Sequence, residues 1–345
     1  MVEIERHFRL VIRRYRQLHA RLPEACESAW AGEVKMSDPL SILNLRVGDV
    51  SIDDTFAEAF PMTATRLIIT AISEKWAMIA ATVITGYATS VIACDAEAGI
   101  ERILTADETP DGRPGIAVLL FAFNRESLEK AVVKRVGQCI MTCPTTACFN
   151  GLPDRAKPIK VGGKLRRFGD GYQISKLIGD RRFWRVPVMD GEFVCEDEFG
   201  TTKAVGGGNI LILGESQLKT LEAAEAGVTA ISKLRDVIAP FPGGVVRSGS
   251  KVGSKYKGQI ASTNHAYAPS LKGQVKSALP EGAKCCYEIV IDGLSLESVV
   301  EASKAALYAS AAADGVIAIS AGNYGGKLGP YHIHLKDLVK PEGLS

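Results

Sequence analysis

The sequence predicts an α+β fold of two ferredoxin-like (split βαβ) lobes with added β-hairpins. Two observations support this fold class. The order strand–helix–strand occurs twice in the first half of the body and twice again in the second half. A stretch of alternating polar and apolar residues separates the halves. The predicted boundaries are 1–46 for an extension outside the core, 47–163 and 207–345 for the two lobes, and 164–206 for the hairpins.

Capping residues, periodicity and turn residues predict the elements of the first half. In "DDTFAEAF", Thr55 and Glu58 have the spacing of a capping box, which predicts a short helix there. The helix that follows ends at Gly86. The other predicted elements are strands at 65–71, 89–94, 115–123 and 138–143, and helices at 74–86 and 125–137.

The second half repeats this order. Ser216 and Ser295 are the expected N-caps of two long helices. The third residue after Ser295 is Ser298, so no capping box is expected at that helix. The predicted elements are strands at 209–215, at "DVIAPF", at 285–294 and at 315–320, and helices at 216–234 and 295–313. Turn residues at 169–171 and 190–191 predict the hairpins.

Composition excludes several classes of function. The chain has 345 residues, of which 46% are hydrophobic and 23% charged, values typical of globular proteins. A net charge of +2 and the lack of a basic stripe argue against a nucleic-acid partner. The body has no apolar run of membrane-spanning length. The sequence therefore predicts neither a nucleic-acid nor a membrane partner.

Cysteine and histidine patterns give little support for a metal site. None of the eight cysteines forms a C-x-x-C pair, which favours buried, reduced thiols in a cytoplasmic protein. The group Cys139, Cys143 and Cys148 could bind metal or act in redox chemistry, but no histidine is near and the spacing fits no zinc pattern. His332 and His334 share one face of a predicted strand, and we favour a surface or hydrogen-bonded pair over a metal pair.

The first residues differ in character from the body. "IERHFRLVIRRYRQLHARL" has apolar residues at helical spacing between arginines, which predicts a basic amphipathic helix. A targeting peptide is one interpretation. We favour an appended segment, with Met36 as an alternative start.

The stretch "KCCYEIVIDGL" has a carboxylate in the middle of a predicted buried strand. Burying an ionised carboxylate is costly unless it is paired or stays protonated. Glu288 should share a strand face with Cys286 and Val290, opposite Tyr287 and Ile289. Glu288 is therefore either a structural partner of an arginine or a catalytic carboxyl group with a raised pKa.

Glycine-rich loops precede or follow the strands of the second lobe. One of them, "RSGSKVGSKYK", combines backbone N–H groups with cations, which suits phosphate or carboxylate groups. It is not a P-loop, and neither G-x-G-x-x-G nor G-x-S-x-G is present. Nucleotide binding and serine nucleophile chemistry are therefore weakly supported.

Many ordered motifs together resemble one enzyme family. They include "DDTFAEAF", "KWAMIAA", "ATSVIACDAEAGIE", "ETPDGRPG", "FGDGYQ", "PFPGG", "SGSKVG", "ASTN", "YEIVI" and "SAGNYGGKLG". In this combination the chain resembles the formylmethanofuran:tetrahydromethanopterin formyltransferases from about residue 47 to 338. The first 46 residues have no counterpart in the family pattern.

The resemblance implies a reaction and its participants. A formyl group would pass between the amine of formylmethanofuran and the pterin amine of tetrahydromethanopterin, in a ternary complex and in one-carbon metabolism. Both carriers are substrates, and no metal or bound cofactor is implied. The family's enzymes are homo-oligomers, so a homotetramer or another homo-oligomer is expected, with the active-site cleft near a subunit interface.

The resemblance also implies roles for residues. The family's proposed catalytic glutamate lies in the "YEIVI" motif, so Glu288 is the expected proton shuttle. Cations of the loop after "PFPGG" would receive the carriers' anionic tails, and polar residues at strand ends would contact the pterin or the furan amine. The expected substrate-binding residues are Arg113, Gln138, Asn209, Arg247, Lys251, Lys255, Asn323 and Lys327.

Two alternatives stay open at this point. The chain could be a subunit of a formyltransferase/hydrolase complex that releases formate in formaldehyde oxidation, as in bacterial members of the family. It could also be a non-catalytic protein that binds the carriers. The presence of Glu288 and of all the glycine-rich loops argues against the second alternative.

Overall fold

The computed structural model describes residues 45–152, 157–259 and 261–339. The chain divides into two compact units, and each is described by itself. The body lies within Leu43–Lys251 and Thr263–Ser345, and the other unit includes Val252–Ser262. The predicted N-terminal basic helix lies outside the described residues. No helix among the described residues has the length and apolar character needed to cross a bilayer.

The first lobe has the predicted order βαββαβ, preceded by two short strands. Its sheet order is β4-β5-β3-β6. The apolar faces of both helices, with Ala80 and Val132 fully buried, pack on β5 in one core. The elements are β1 (Arg46–Val47), β2 (Val50–Ile52), β3 (Phe56–Thr70), α1 (Glu74–Thr85), β4 (Glu97–Leu104), β5 (Gly115–Ala122), α2 (Arg125–Arg135) and β6 (Ala147–Asn150).

The predicted hairpins follow the first lobe. Strands β8, β9 and β10 form an antiparallel meander, and β10 joins the main sheet by pairing in parallel with β6. A short β7–β11 pair lies beside it. The elements are β7 (Ile159–Lys160), α3 (Gly162–Leu165), β8 (Ile174–Ile178), β9 (Arg181–Val188), β10 (Gly191–Glu196) and β11 (Glu198–Phe199).

The second lobe repeats the topology of the first. Its strands lie in the order β13-β16-β12-β17. In both lobes, the four strands counted in chain order therefore lie in the sheet as second, third, first and fourth. The two-lobe ferredoxin-like prediction is thus confirmed. The elements are β12 (Thr202–Gly214), α4 (Gln217–Ile231), β13 (Val237–Ile238), β14 (Ser250–Val252), β15 (Ala261–Thr263), β16 (Cys285–Gly293), α5 (Leu296–Ala311), β17 (Val316–Ser320), β18 (Tyr331–His334) and α6 (Leu335–Leu338).

Both predicted serine N-caps are confirmed, and one cap is more complete than expected. The Ser216 hydroxyl accepts a hydrogen bond from Lys219 N–H, and the Ser295 hydroxyl accepts one from Ser298 N–H. The Ser298 hydroxyl accepts in turn from Ser295 N–H at 3.2 Å, which closes a capping box. The expectation of no box was wrong because a serine hydroxyl can accept this bond as a glutamate would.

Three predicted elements of the first lobe are wrong. The "DDTFAEAF" helix is instead the start of β3, since strand partners on both sides override the local capping signal. Residues 89–94 form turns, because Cys94 N–H bonds back to Ser90 O. Residues 138–143 are not a strand, because Met141 N–H bonds to Val136 O in a π-helical turn that continues α2.

Strand β3 joins the two lobes into one sheet. Its first residues pair with β18, the stretch from Phe60 to Ala64 pairs with β12, and the second half pairs with β5 and β6. Because one strand contributes to both lobes, its first half can position groups of the second lobe.

A buried carboxyl pair lies where the lobes meet. Glu97 on β4 and Asp292 on β16 are 5% and 0% exposed, and within the described residues Glu97 Oε2 and Asp292 Oδ2 have no hydrogen-bond partner. The other oxygen of each group accepts one backbone hydrogen bond, from Val91 N–H to Glu97 and from Gly207 N–H to Asp292. Burial raises the pKa of both groups, and the charge of Glu97 raises that of Asp292 further. Both groups are therefore expected to keep a proton to a higher pH than an exposed carboxyl group does.

Candidate active site

Glu288 lies at the centre of β16, in a row of residues that crosses three strands. Its cross-strand neighbour is Leu211 on β12, and Leu211 faces Ser320 on β17. On the other side, Val246 N–H donates to Glu288 O at 2.7 Å, and Glu288 N–H donates to Val246 O at 3.1 Å. The backbone of Glu288 is thus paired on both sides, which holds its side chain in one direction.

The predicted alternation along β16 is confirmed. Tyr287 and Ile289 lie in the core beneath α4 and α5. Cys286 packs on the other face of the sheet, against a small cluster that includes Leu211 and Leu213. Since successive side chains alternate, Glu288 lies on this second face, away from the helices.

The Glu288 carboxyl group makes no hydrogen bond or ion pair with the described residues. The residue as a whole is only half-buried, but its carboxyl group is enclosed enough that burial raises its pKa to about 7. The arginine partner considered for a structural carboxylate is therefore not found within the described residues. A carboxyl group with a pKa near neutrality can both donate and accept a proton under physiological conditions.

Two neighbouring groups keep their protons in the same pH range. Burial and then the charge of Glu288 raise the pKa of Cys286 to about 12. Burial and then the charges of Glu288 and Glu58 raise the pKa of Tyr324 to about 12. Glu288 is thus the group of this set that titrates near pH 7.

Glu58 organises the loop that carries Tyr324. We refer to residues 322–329 as the glycine loop. The Glu58 carboxylate, 2% exposed, accepts N–H bonds from Tyr324 at 2.6 Å, from Gly326 at 3.1 Å and from Gly329 at 2.9 Å, and a fourth from Leu328. The first half of β3 thereby holds the loop whose Tyr324 is close enough to Glu288 for its charge to raise the pKa of the tyrosine.

Two asparagines predicted to bind substrate also hold this loop. The Asn209 amide accepts from Gly322 N–H at 2.6 Å and donates to Gly322 O at 3.0 Å. The Asn323 amide donates to Thr55 Oγ1 at 3.0 Å and accepts from Gly325 N–H at 3.1 Å. Their amide groups thus have partners within the protein, and a contact with substrate stays a prediction.

The structure brings three of the predicted cations into the same part of the second lobe. Arg247 directly follows Val246, the backbone partner of Glu288, and is exposed. The loop with half-buried Lys251 is tied to the glycine loop, because the Tyr324 hydroxyl donates to Ser250 O at 3.1 Å. Lys327 is exposed on the glycine loop. Lys255 belongs to the Val252–Ser262 unit, which is described by itself.

Arg113 and Gln138 lie in the first lobe. Arg113 donates to Thr70 Oγ1 at 3.0 Å, to Asp111 and to Thr145 O. Thr70 is twelve residues along β3 from Glu58, roughly 40 Å at the rise of an extended strand. Gln138 is exposed on the π-helical turn after α2. Within one chain, the structure does not bring Arg113 and Glu288 together.

The cysteines and histidines have ordinary surroundings. The seven cysteines among the described residues are free thiols. Both His332 and His334 pack on Phe56, with ring centroids 4.7 and 5.2 Å away. Within the described parts of the chain, no group of three or more His, Cys, Asp or Glu side chains is arranged to hold a metal ion.

Sequence reasoning missed Glu58 and Tyr324. Glu58 was assigned to a helix cap, although Pro61 would interrupt a helix there and the β-branched residues that follow favour a strand. The partners of Glu58 lie more than 260 residues away and are backbone groups, so no side-chain pattern marks them. Tyr324 had a clearer signal, as an aromatic residue within "SAGNYGGKLG".

Comparison with known families gives two matches that together span the body. Residues 45–188 match the family model for formylmethanofuran-tetrahydromethanopterin formyltransferase. Residues 191–338 match the model for the proximal lobe of the same family.

Individual relatives and solved structures agree with these matches. The chain is 56% identical over 296 residues to a formylmethanofuran–tetrahydromethanopterin formyltransferase of Methylococcus capsulatus, covering 85% of this chain and 99% of the relative. It is 54% identical over 300 residues to a subunit of the formyltransferase/hydrolase complex of Methylorubrum extorquens, covering 84% and 96%. A crystal structure of that complex with methylofuran matches with a TM-score of 0.83 at 52% identity, covering 85% and 98%.

Proposed function

The chain belongs to the formylmethanofuran–tetrahydromethanopterin formyltransferase family, and on this premise we propose that it transfers a formyl group between these two carriers, with Glu288 as the proton shuttle. The observation that carries the assignment of Glu288 is its carboxyl group, enclosed beside the glycine loop with a pKa of about 7 and no partner among the described residues.

The reaction exchanges one C–N bond for another. The pterin amine nitrogen attacks the formyl carbon of formylmethanofuran, and a tetrahedral intermediate with an oxyanion forms. The new C–N bond stays, the bond to the furan amine breaks, and the formyl group has moved. The attacking nitrogen loses one proton and the leaving nitrogen gains one, so the reaction needs a proton carrier and no net acid or base.

Glu288 has the properties this proton transfer requires. As a carboxylate it accepts the proton of the attacking amine, and as a carboxylic acid it donates a proton to the leaving amine. A pKa near the working pH keeps both forms populated, which general acid–base catalysis favours. The pKa values of Cys286 and Tyr324, both about 12, make them poor alternatives for this role.

The purified chain tests this proposal directly. It should form formyltetrahydromethanopterin from formylmethanofuran and tetrahydromethanopterin without an added metal or cofactor, with chromatography of the formylated pterin as the readout. Turnover that needs both carriers together supports direct transfer. If the folded protein gives no product while it binds a carrier in calorimetry, the chain is a binding protein and the transferase proposal fails.

A second candidate is transfer within a larger assembly. The similarity to a subunit of a formyltransferase/hydrolase complex supports hydrolase subunits as partners, with formate released from the formylated carrier during formaldehyde oxidation. A homotetramer or another homo-oligomer would serve the isolated enzyme. The free thiols of the described cysteines support a location in the reducing cytoplasm. Light scattering of the purified chain, alone and with the hydrolase subunits, separates these assemblies.

Cations on the segment that follows Val246, the backbone partner of Glu288, predict a salt effect on substrate binding. If Arg247 and Lys251 receive the anionic tails of the carriers, the KM of a carrier should rise roughly two- to fivefold between about 50 and 500 mM salt, because salt screens exposed ion pairs. In the Arg247→Gln, Lys251→Gln double variant the KM should start higher and change less with salt. An identical salt response of parent and variant would count against this assignment.

A further inference from the structure

The binding of the Glu58 carboxylate is unusual for a buried charge. No lysine, arginine or histidine of the described residues pairs with it, and its four hydrogen bonds come from backbone N–H groups of residues 324–329. Transferring an unpaired carboxylate from water to a protein interior is costly, and charge-assisted N–H bonds offset that cost. The carboxylate and the loop conformation therefore depend on one another.

The backbone of the glycine loop is shaped to point its N–H groups inward. Gly325 and Gly326 both adopt left-handed conformations, with φ of +69° and +74°. A Cβ atom at Gly329 would lie 2.1 Å from Ala59 O, so that residue must be glycine for the loop to approach β3. Successive N–H groups in such a turn form a concave anion site, and Glu58 occupies it.

The loop held in this way carries Tyr324 to Glu288. Tyr324 is anchored at two points, by its N–H group to Glu58 and by its hydroxyl group to Ser250 O. We propose that Glu58 is a positioning residue of the active site, whose carboxylate anchors the glycine loop and thereby holds Tyr324 beside Glu288. This inference rests on the proposed function only in taking Glu288 as the proton shuttle.

Holding the loop in place has a chemical consequence for Glu288. Burial is the cause of its raised pKa, so a loop that moves away and admits water should lower that pKa towards the ordinary value of 4.5. The titratable groups that feel the charge of Glu288 are Cys286 on its own strand and Tyr324 on the glycine loop. Arg247 and Lys251 follow its backbone partner Val246 in the chain, but desolvation alone accounts for the raised pKa of Glu288. Cys286 and Tyr324 stay neutral below about pH 10. A change in the pKa near 7 that appears in the pH profile of kcat/KM would therefore report on Glu288.

Glu58→Gln is the direct test. The glutamine keeps one oxygen, but its NH₂ group faces two of the four N–H donors, so the loop loses part of its anchor. We expect kcat/KM for formyl transfer to fall by about tenfold or more at about pH 7.5, and the pKa seen in the pH profile of kcat/KM to fall by about one unit or more. A lower melting temperature alone would not produce the second effect.

Glu196→Gln is the matched control. Glu196 is also a buried carboxylate, 1% exposed, but it pairs with Arg181 in the hairpin region. The Glu196→Gln variant should be less stable than the parent but should have the parent's pH profile of kcat/KM. If Glu58→Gln behaves like this control, with the pH profile of the parent, the positioning role is overturned. An inactive parent would instead contradict the proposed function, so the two failures are distinguishable.

Gly325→Ala keeps the inference testable if Glu58→Gln does not fold. A Cβ atom at Gly325 meets nothing within 4 Å, so alanine acts only through the left-handed backbone. It should shift the same pKa downwards by a smaller amount, because Glu58 is retained and the loop is strained. An unchanged pH profile in a folded Gly325→Ala variant would also overturn the proposal.

Discussion

Glu288→Gln should lose formyl transfer by roughly 10²–10⁴-fold while keeping its fold and its affinity for the carriers. The amide has the size of the carboxyl group but cannot take up and release a proton at neutral pH. No hydrogen bond or ion pair to the described residues is lost, since the carboxyl group makes none. Initial rates measure the loss, and calorimetry with one carrier at a time measures binding.

Stability gives an independent check on the same variant. The pKa of Glu288 is raised from 4.5 to about 7, so its stabilising contribution is complete below pH 4.5 and is lost as the pH rises through 7. Glutamine has no charge to bury. Above about pH 8 the free energy of unfolding of the variant should therefore be on the order of 2 kcal/mol higher than that of the parent. At about pH 4.5 the two free energies of unfolding should be equal.

Glu301→Gln is the control for this experiment. Glu301 is exposed on α5, on the helix-covered side of the same lobe. Its substitution should change neither the rate of formyl transfer nor the pH dependence of the free energy of unfolding. A Glu288→Gln enzyme with parental turnover would end the proposal that this carboxyl group shuttles the proton.

Asp292→Asn should stabilise the protein at alkaline pH by roughly 1–3 kcal/mol. Burial raises the pKa of both Asp292 and Glu97 above the ordinary values of 3.8 and 4.5. Their contribution to stability is thus complete below those values and is lost as the pH rises and the two groups lose their protons. An asparagine can donate N–H to Glu97 at any pH and still accept from Gly207 N–H.

Denaturant unfolding at about pH 5 and about pH 9 measures this effect. The difference between the variant and the parent should grow with pH, and the exposed Asp314→Asn should show no such growth. Asp292→Ala provides a contrast, because it leaves Gly207 N–H without its acceptor and should destabilise at both pH values. An Asp292→Asn variant that is less stable than the parent at the alkaline pH would contradict the raised pKa of the buried pair.

Sequence patterns alone predicted the two-lobe architecture and identified Glu288. The order of the two βαββαβ repeats follows from periodicity and from caps such as Ser216, because the helices carry strong local signals. The positions of the second and fourth strands of the first lobe, Glu97–Leu104 and Ala147–Asn150, were not predicted. Glu288 could be found because a carboxylate interrupts an otherwise apolar strand. In both cases the physical signal lies within a short run of consecutive residues.

The parts that could not be predicted depend on distant partners. The capping-box pattern at Thr55 and Glu58 was misleading because Glu58 bonds instead to backbone groups of the glycine loop. The Glu97–Asp292 pair joins residues far apart in the chain, so no local pattern marks the two residues as partners. Such contacts follow from the crossing of β3 between the lobes, which no local periodicity encodes.

The path of β3 also sets the order in which this enzyme can mature on a ribosome. The first lobe, including the second half of β3, is translated early and has its sheet partners β5 and β6 at hand. The first half of β3 must wait for β12 and then for β18, which follows the glycine loop. Until Gly329 has emerged, Glu58 lacks part of the loop that it binds, and until His334 has emerged the start of β3 lacks its partner β18. Nascent chains therefore expose an unfinished strand of the first lobe for most of translation, and catalytic competence is among the last properties the polypeptide acquires.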